Sequence, residues 1–74
     1  MPTIEQGGKI YIEWDTPDFV EKMKRADIDQ ALINKAMVEY PSDMEAIHVD
    51  GKWYYAVRGL NRHFPLPEGR GWQD

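Results

Sequence analysis

Two adjacent residues, Asp50 and Gly51, constrain this chain more than any others. They separate two runs rich in β-branched and aromatic residues. An Asp-Gly pair in that setting is a strong two-residue hairpin signal, because both central residues of the turn require positive φ. The turn predicts a register of Val49 with Lys52, His48 with Trp53, Ile47 with Tyr54 and Ala46 with Tyr55. Pleating then sorts the hairpin onto two faces. Met44, Ala46, His48, Trp53, Tyr55 and Val57 share one; Glu45, Ile47, Val49, Lys52, Tyr54, Ala56 and Arg58 share the other. The first is the better core face, which predicts Trp53 and Tyr55 inside and Tyr54 outside.

Upstream, Lys9 to Trp14 alternates as a strand does, with Ile10, Ile12 and Trp14 on one side. Gly7-Gly8 before it predicts a flexible lead-in over 1–8. Asp15 or Thr16 can cap a helix that begins at Pro17, with Asp18 complementing its dipole. Asp27 with Gln30 reads as a second helix start, followed by Ile28, Ala31, Leu32, Lys35, Ala36 and Tyr40 at helical spacing. Pro41 ends that helix at Tyr40. No glycine marks the joint between the two helices, which leaves open whether they break there. The prolines and glycines of the last stretch predict an extended or partly disordered basic and aromatic tail over 61–74, leaving one small domain over 9–60. The expected order is β-α-α-β-β. It gives an α+β fold: a three-stranded antiparallel sheet, built from the N-terminal strand and the C-terminal hairpin, covered on one face by two helices.

The 74 residues include no cysteine, which excludes a disulfide scaffold and a cysteine-ligated zinc site. Apolar runs are only a few residues long, so no membrane span is expected, and the first residues lack the basic and apolar regions of a signal peptide. A cytoplasmic protein is the expectation. The net charge is −4, but residues 1–50 carry eleven acids against five bases, and residues 51–74 two acids against four bases. An acidic body with a basic, aromatic end points to a charged partner.

Catalytic groups are sparse. His48 and His63 are the only histidines and Ser42 the only serine. Asp27 and Asp29 lack the Asp/Asn-Gly sequence of a calcium loop, and His48 with Asp50 gives only two metal ligands. Gly7-Gly8 precedes a strand rather than the helix a phosphate loop needs. No catalytic residue, metal or cofactor is therefore expected. The opening MPTIE resembles that of the 4-oxalocrotonate tautomerase family, in which loss of Met exposes a catalytic N-terminal proline; the resemblance implies Pro2 as that base. In that family the strand begins at the proline and a single helix follows. Here Gly7-Gly8 interrupts, and the arginine expected after the first strand is missing.

Two helices cover only one face of a sheet. The other face keeps Ile47, Val49, Lys52 and Tyr54, with Tyr11 joining from the first strand. Together with Arg58, Arg62 and Trp72 they form the predicted partner-binding set; tyrosine and tryptophan beside arginine is the composition of interface hot spots. The expected function is a non-enzymatic protein-binding module. Its partner would be a larger protein with a basic surface, such as RNA polymerase or a nuclease. In size and charge the chain is similar in kind to small phage-encoded inhibitors of host transcription or defence machinery. The alternative is a nucleic-acid-binding accessory protein, winged-helix-like or binding single strands through the hairpin and tail, where Arg58, Arg62, His63, Phe64, Arg70 and Trp72 interleave bases with rings. Against it, the candidate recognition helix carries Asp27, Asp29 and Glu39 against only Lys35, and phosphates would repel it.

Overall fold

A computed structural model describes residues 3–67 and 71–73. The chain forms β1 (Thr3–Gln6), β2 (Lys9–Glu13), α1 (Pro17–Arg25), α2 (Gln30–Glu39), β3 (Ala46–Val49), β4 (Lys52–Ala56) and α3 (Val57–His63). The fold is α+β, with a curled antiparallel sheet in the order β1-β2-β4-β3. It has one strand and one helix more than the pattern predicts.

The extra strand comes from the segment read as a lead-in. Gly7 and Gly8 both have positive φ, so they close a tight hairpin that pairs Thr3–Gln6 with Lys9–Ile12. The β3–β4 hairpin has the register that Asp50-Gly51 dictates, from Val49 opposite Lys52 to Ala46 opposite Tyr55.

Thr16 caps α1 by accepting the Phe19 N–H at 3.1 Å, with Pro17 in the first turn. The two helices do break. Asp27 lies in the left-handed region (φ 58), the Ile28 N–H donates to the Met23 carbonyl, and the Asp27 N–H donates to the Lys24 carbonyl. Those paired bonds are a Schellman ending, with aspartate standing where glycine is usual. Asp29, not Asp27, then caps α2 by accepting the Leu32 N–H at 3.0 Å.

The third helix starts directly after β4. Val57 and Leu60 are buried on it, and Gly59 passes so close to the Asp43 carbonyl that a Cβ would overlap that oxygen. The described residues of the segment read as a tail pack against this layer. Leu66 is buried, and Trp72 is the largest fully buried side chain, with its ring centroid 5.2 Å from that of Phe19. Its indole N–H donates to the Phe64 carbonyl at 2.9 Å, and its backbone N–H donates to Asn61 Oδ1 at 3.0 Å. Lys22 of α1, only 2% exposed, donates to the Trp72 carbonyl at 2.6 Å. The main core joins Ile12, Phe19, Ile33, Met44, Tyr55, Val57, Leu60 and Trp72 between the sheet and the helices. Among the described residues no helix is long and apolar enough to cross a membrane.

Candidate functional site: an aromatic row at the open end of the sheet

The sheet is longer than the helical layer that covers it. Ile12, Tyr55 and Ala46 lie side by side across β2, β4 and β3 and pack into the main core. The next row toward the Asp50-Gly51 turn is Trp14, Trp53 and His48. The Trp14 N–H donates to the Trp53 carbonyl at 3.2 Å, which continues the β2–β4 pairing by one residue. Trp53 faces His48 across the hairpin with ring centroids 4.8 Å apart, and Trp14 stacks on Tyr55 at 6.2 Å. Trp53, expected in the core, is 48% exposed. Alternation placed it on the right face; the reach of the helices decided that its position is uncovered.

Besides a groove of about 340 Å³ that runs from Trp14 and Asp15 to Met23, Lys24 and Ile28, two grooves lie against both tryptophans. One, of about 260 Å³, lies between Trp14, Trp53 and Tyr55, with Met37 of α2 and Ala46 completing it. The other, of about 320 Å³, runs from Trp14 and Trp53 to Glu13, Asp15 and Lys52. Asp15 is exposed and left-handed (φ 65), the bend by which the chain leaves the sheet for α1. Among the described residues Asp15 and Asp50 hold no ion pair, whereas Lys52 is 3.5 Å from Glu13.

The opposite sheet face holds most of the predicted binding set. Tyr11, Tyr54 and Ala56 form a second, smaller cluster there, with Ile4, Ile47 and Val49 packed around it. No helix residue contributes to it. Even so, Tyr11 is 3% and Tyr54 7% exposed, because the rings lie among neighbours contributed by all four strands. The prediction put Tyr54 on the correct face but overstated its exposure. The Tyr11 hydroxyl donates to Glu45 Oε2 at 3.0 Å, and Lys9 Nζ to Glu45 Oε1 at 3.1 Å. Hydrogen bonds from Lys9 and Tyr11 lower the Glu45 pKa, while burial, followed by the Glu45 bond and charge, raises that of Tyr11.

Arg58 and Arg62 project from α3 toward Asp43, at 3.8 and 3.7 Å, and His63 Nε2 lies 3.0 Å from the same carboxylate. The His63 ring is stacked on Tyr40, with centroids 4.2 Å apart. The His63 hydrogen bond is the main cause of a lowered Asp43 pKa, helped by both arginines and opposed by burial. A cleft of about 350 Å³ lies beside this group, among Lys9, Ser42, Asp43, Glu45, Arg58 and Asn61.

The structure thus brings Tyr11, Ile47, Val49, Lys52 and Tyr54 onto one face and places Arg58 and Arg62 on α3. Trp72 is fully buried and has no surface to offer. Sequence reasoning missed Trp53 as a surface residue, and Trp14, partly buried against the core, as its neighbour in the grooves. The one available signal was their closeness to the chain reversals at Asp15 and Asp50-Gly51. Among the described residues no three His, Cys, Asp or Glu side chains are grouped to hold a metal. Pro2 and Arg70 lie outside the described residues. β1 runs straight into a hairpin with β2, unlike the strand-then-helix order of the tautomerases.

No family model matches the chain, and no solved structure matches it. Over 51 residues, 69% of the chain, it is 39% identical to part of the leucine-rich repeat LGI family member 3 of Macaca fascicularis, of whose length it spans 8%. The chain has three leucines, Leu32, Leu60 and Leu66, and so lacks the closely spaced leucine pattern that defines such a repeat.

Proposed function

We propose that this protein is a small non-enzymatic protein-binding module that engages a larger protein with a basic surface, in the manner of an inhibitor or regulator. A nucleic-acid-processing enzyme such as RNA polymerase or a nuclease is the partner class whose basic channel suits an acidic binder. The observation that carries the reading is the half-exposed Trp53 beside Trp14, with grooves on both sides of the pair. Tryptophans at the centre of a groove are the usual anchors of protein interfaces. Asp15, which lines one of these grooves, favours a cationic partner and speeds its encounter.

The test is recovery of a stoichiometric partner from nuclease-treated host lysate by tagged wild-type protein, compared with Trp53→Ala. The reading expects the partner to be retained by the first and lost by the second. A second reading, nucleic-acid binding, draws on Arg58 and Arg62, whose side chains are 62% and 70% exposed. It requires oligonucleotide binding that weakens steeply with salt and is lost in the Arg58→Ala/Arg62→Ala double variant.

A further inference from the structure

The groove between the tryptophans and Asp15 has a chemistry more specific than a general contact surface. We propose that it is a receptor slot for a single arginine side chain presented by the partner protein. The inference rests on the module reading above and names what that surface recognises.

Three features converge on a guanidinium. Trp14 and Trp53 stand directly opposite each other on neighbouring strands, so their side chains are about 5 Å apart at the backbone, and both line the groove. Indole is the best cation–π acceptor among side chains, and arginine stacks on it through its plane. Tyr55 behind Trp14 and His48 beside Trp53 hold the two rings in place.

The second feature is the carboxylate of Asp15. Asp15 lines the same groove, and among the described residues its carboxylate holds no hydrogen bond or ion pair. The left-handed backbone there does not require a charge, since asparagine tolerates that conformation equally and glycine better. None of the described residues pairs with this carboxylate, and an incoming arginine supplies the missing partner. The third feature is Glu13, whose side chain is 16% exposed and which Lys52 already neutralises. The uncompensated charge of the groove is therefore that of Asp15.

Other occupants fit less well. A nucleic-acid base could stack on the tryptophans, but its phosphates would meet Asp15 and Glu13. An aliphatic side chain suits the neighbouring groove of Met37, Ala46 and Tyr55, and would leave Asp15 without a partner. A lysine would satisfy the charge but lacks the flat face that stacks on indole.

The test uses the full chain, labelled so that the indole N–H resonances of its three tryptophans are resolved. The probe is a capped Gly-Gly-Arg-Gly-Gly peptide, with its citrulline counterpart as a neutral, equally planar control. Saturable shifts at Trp14 and Trp53 are expected, with Trp72 unmoved. The citrulline peptide and the Asp15→Asn variant should each bind about two- to fivefold more weakly, the size of an exposed cation–π or charge contribution. Equal binding of the two peptides would overturn the proposal, as would wild-type affinity in Asp15→Asn or a stronger response to oligothymidine at the same resonances. Asp15→Asn keeps the backbone, so a change in binding at unchanged melting temperature is not a folding effect. If Asp15→Asn retains the lysate partner while Trp53→Ala loses it, the arginine slot falls and the module stands. If Trp53→Ala also retains the partner, the module reading falls too.

Discussion

Trp72 and Trp53 occupy the two ends of the same packing problem. Trp72, near the end of the chain among prolines and glycines, is fully buried; Trp53, the second residue of β4, is half exposed. Strand alternation says which face a residue is on but not how far the covering layer reaches. Conversely, a segment without regular structure can fill the core when side chains elsewhere are arranged to receive it. Here Lys22, Asn61 and the Phe64 carbonyl bind the backbone and indole of Trp72, so its polar groups are satisfied where it is buried. Trp53 has the His48 ring beside it and opens onto two grooves.

That contrast is most exposed to refutation at Trp72. Trp72→Ala should cost about 3–5 kcal/mol, the usual loss for a buried tryptophan, and so remove most of the stability of a domain this small. Urea unfolding monitored by far-ultraviolet dichroism measures it; a loss well below that would mean the C-terminal segment is not part of the core. Gly59→Ala should cost about 1–3 kcal/mol, because the added methyl meets the Asp43 carbonyl and lies 2.9 Å from Met44 Sδ. The same unfolding curves read it, and a neutral result would show that the loop bearing Asp43 yields freely.

Asp27→Gly should stabilise by up to about 1 kcal/mol, since the left-handed Schellman position is easier for glycine. Its melting temperature should rise. A fall would mean that the Asp27 carboxylate has a role beyond the helix end.

Acid titration separates the polar network from the core. Asp43 and Glu45 have folded-state pKa values below their ordinary ones, held down chiefly by His63 and by Lys9 with Tyr11. Their contribution is therefore present above the ordinary carboxylate pKa and lost as pH falls through the lowered folded values. Melting temperature against pH should decline in that acid range, and Asp43→Asn should flatten part of the decline.

Trp53→Ala completes the series with a small loss, about 0.2–1 kcal/mol, the usual worth of an aromatic cross-strand pair such as that of Trp53 with His48. A stability loss approaching that of Trp72→Ala would erase the distinction between the two tryptophans and, with it, the case for Trp53 as a binding residue.

By itself the sequence determined the α+β class, the antiparallel hairpin and its register, the start of α1 and the end of α2. Each of these follows from local chemistry: Asp50-Gly51 accepts positive φ, Thr16 and Pro17 satisfy a helix N-terminus, and Pro41 restricts Tyr40. Gly7-Gly8 carried the same kind of turn information, but the four residues of β1 are too short and weakly patterned to announce a strand. The left-handed Asp27 concealed the helix break that a glycine would have marked. Tertiary structure alone decided that Tyr54 is enclosed by its sheet neighbours, that Arg58 and Arg62 converge on Asp43, and that Trp72 is inside while Trp53 is not. The reason is that exposure depends on which segments, distant in sequence, come to lie over a residue. The periodicity of its own strand carries no record of that.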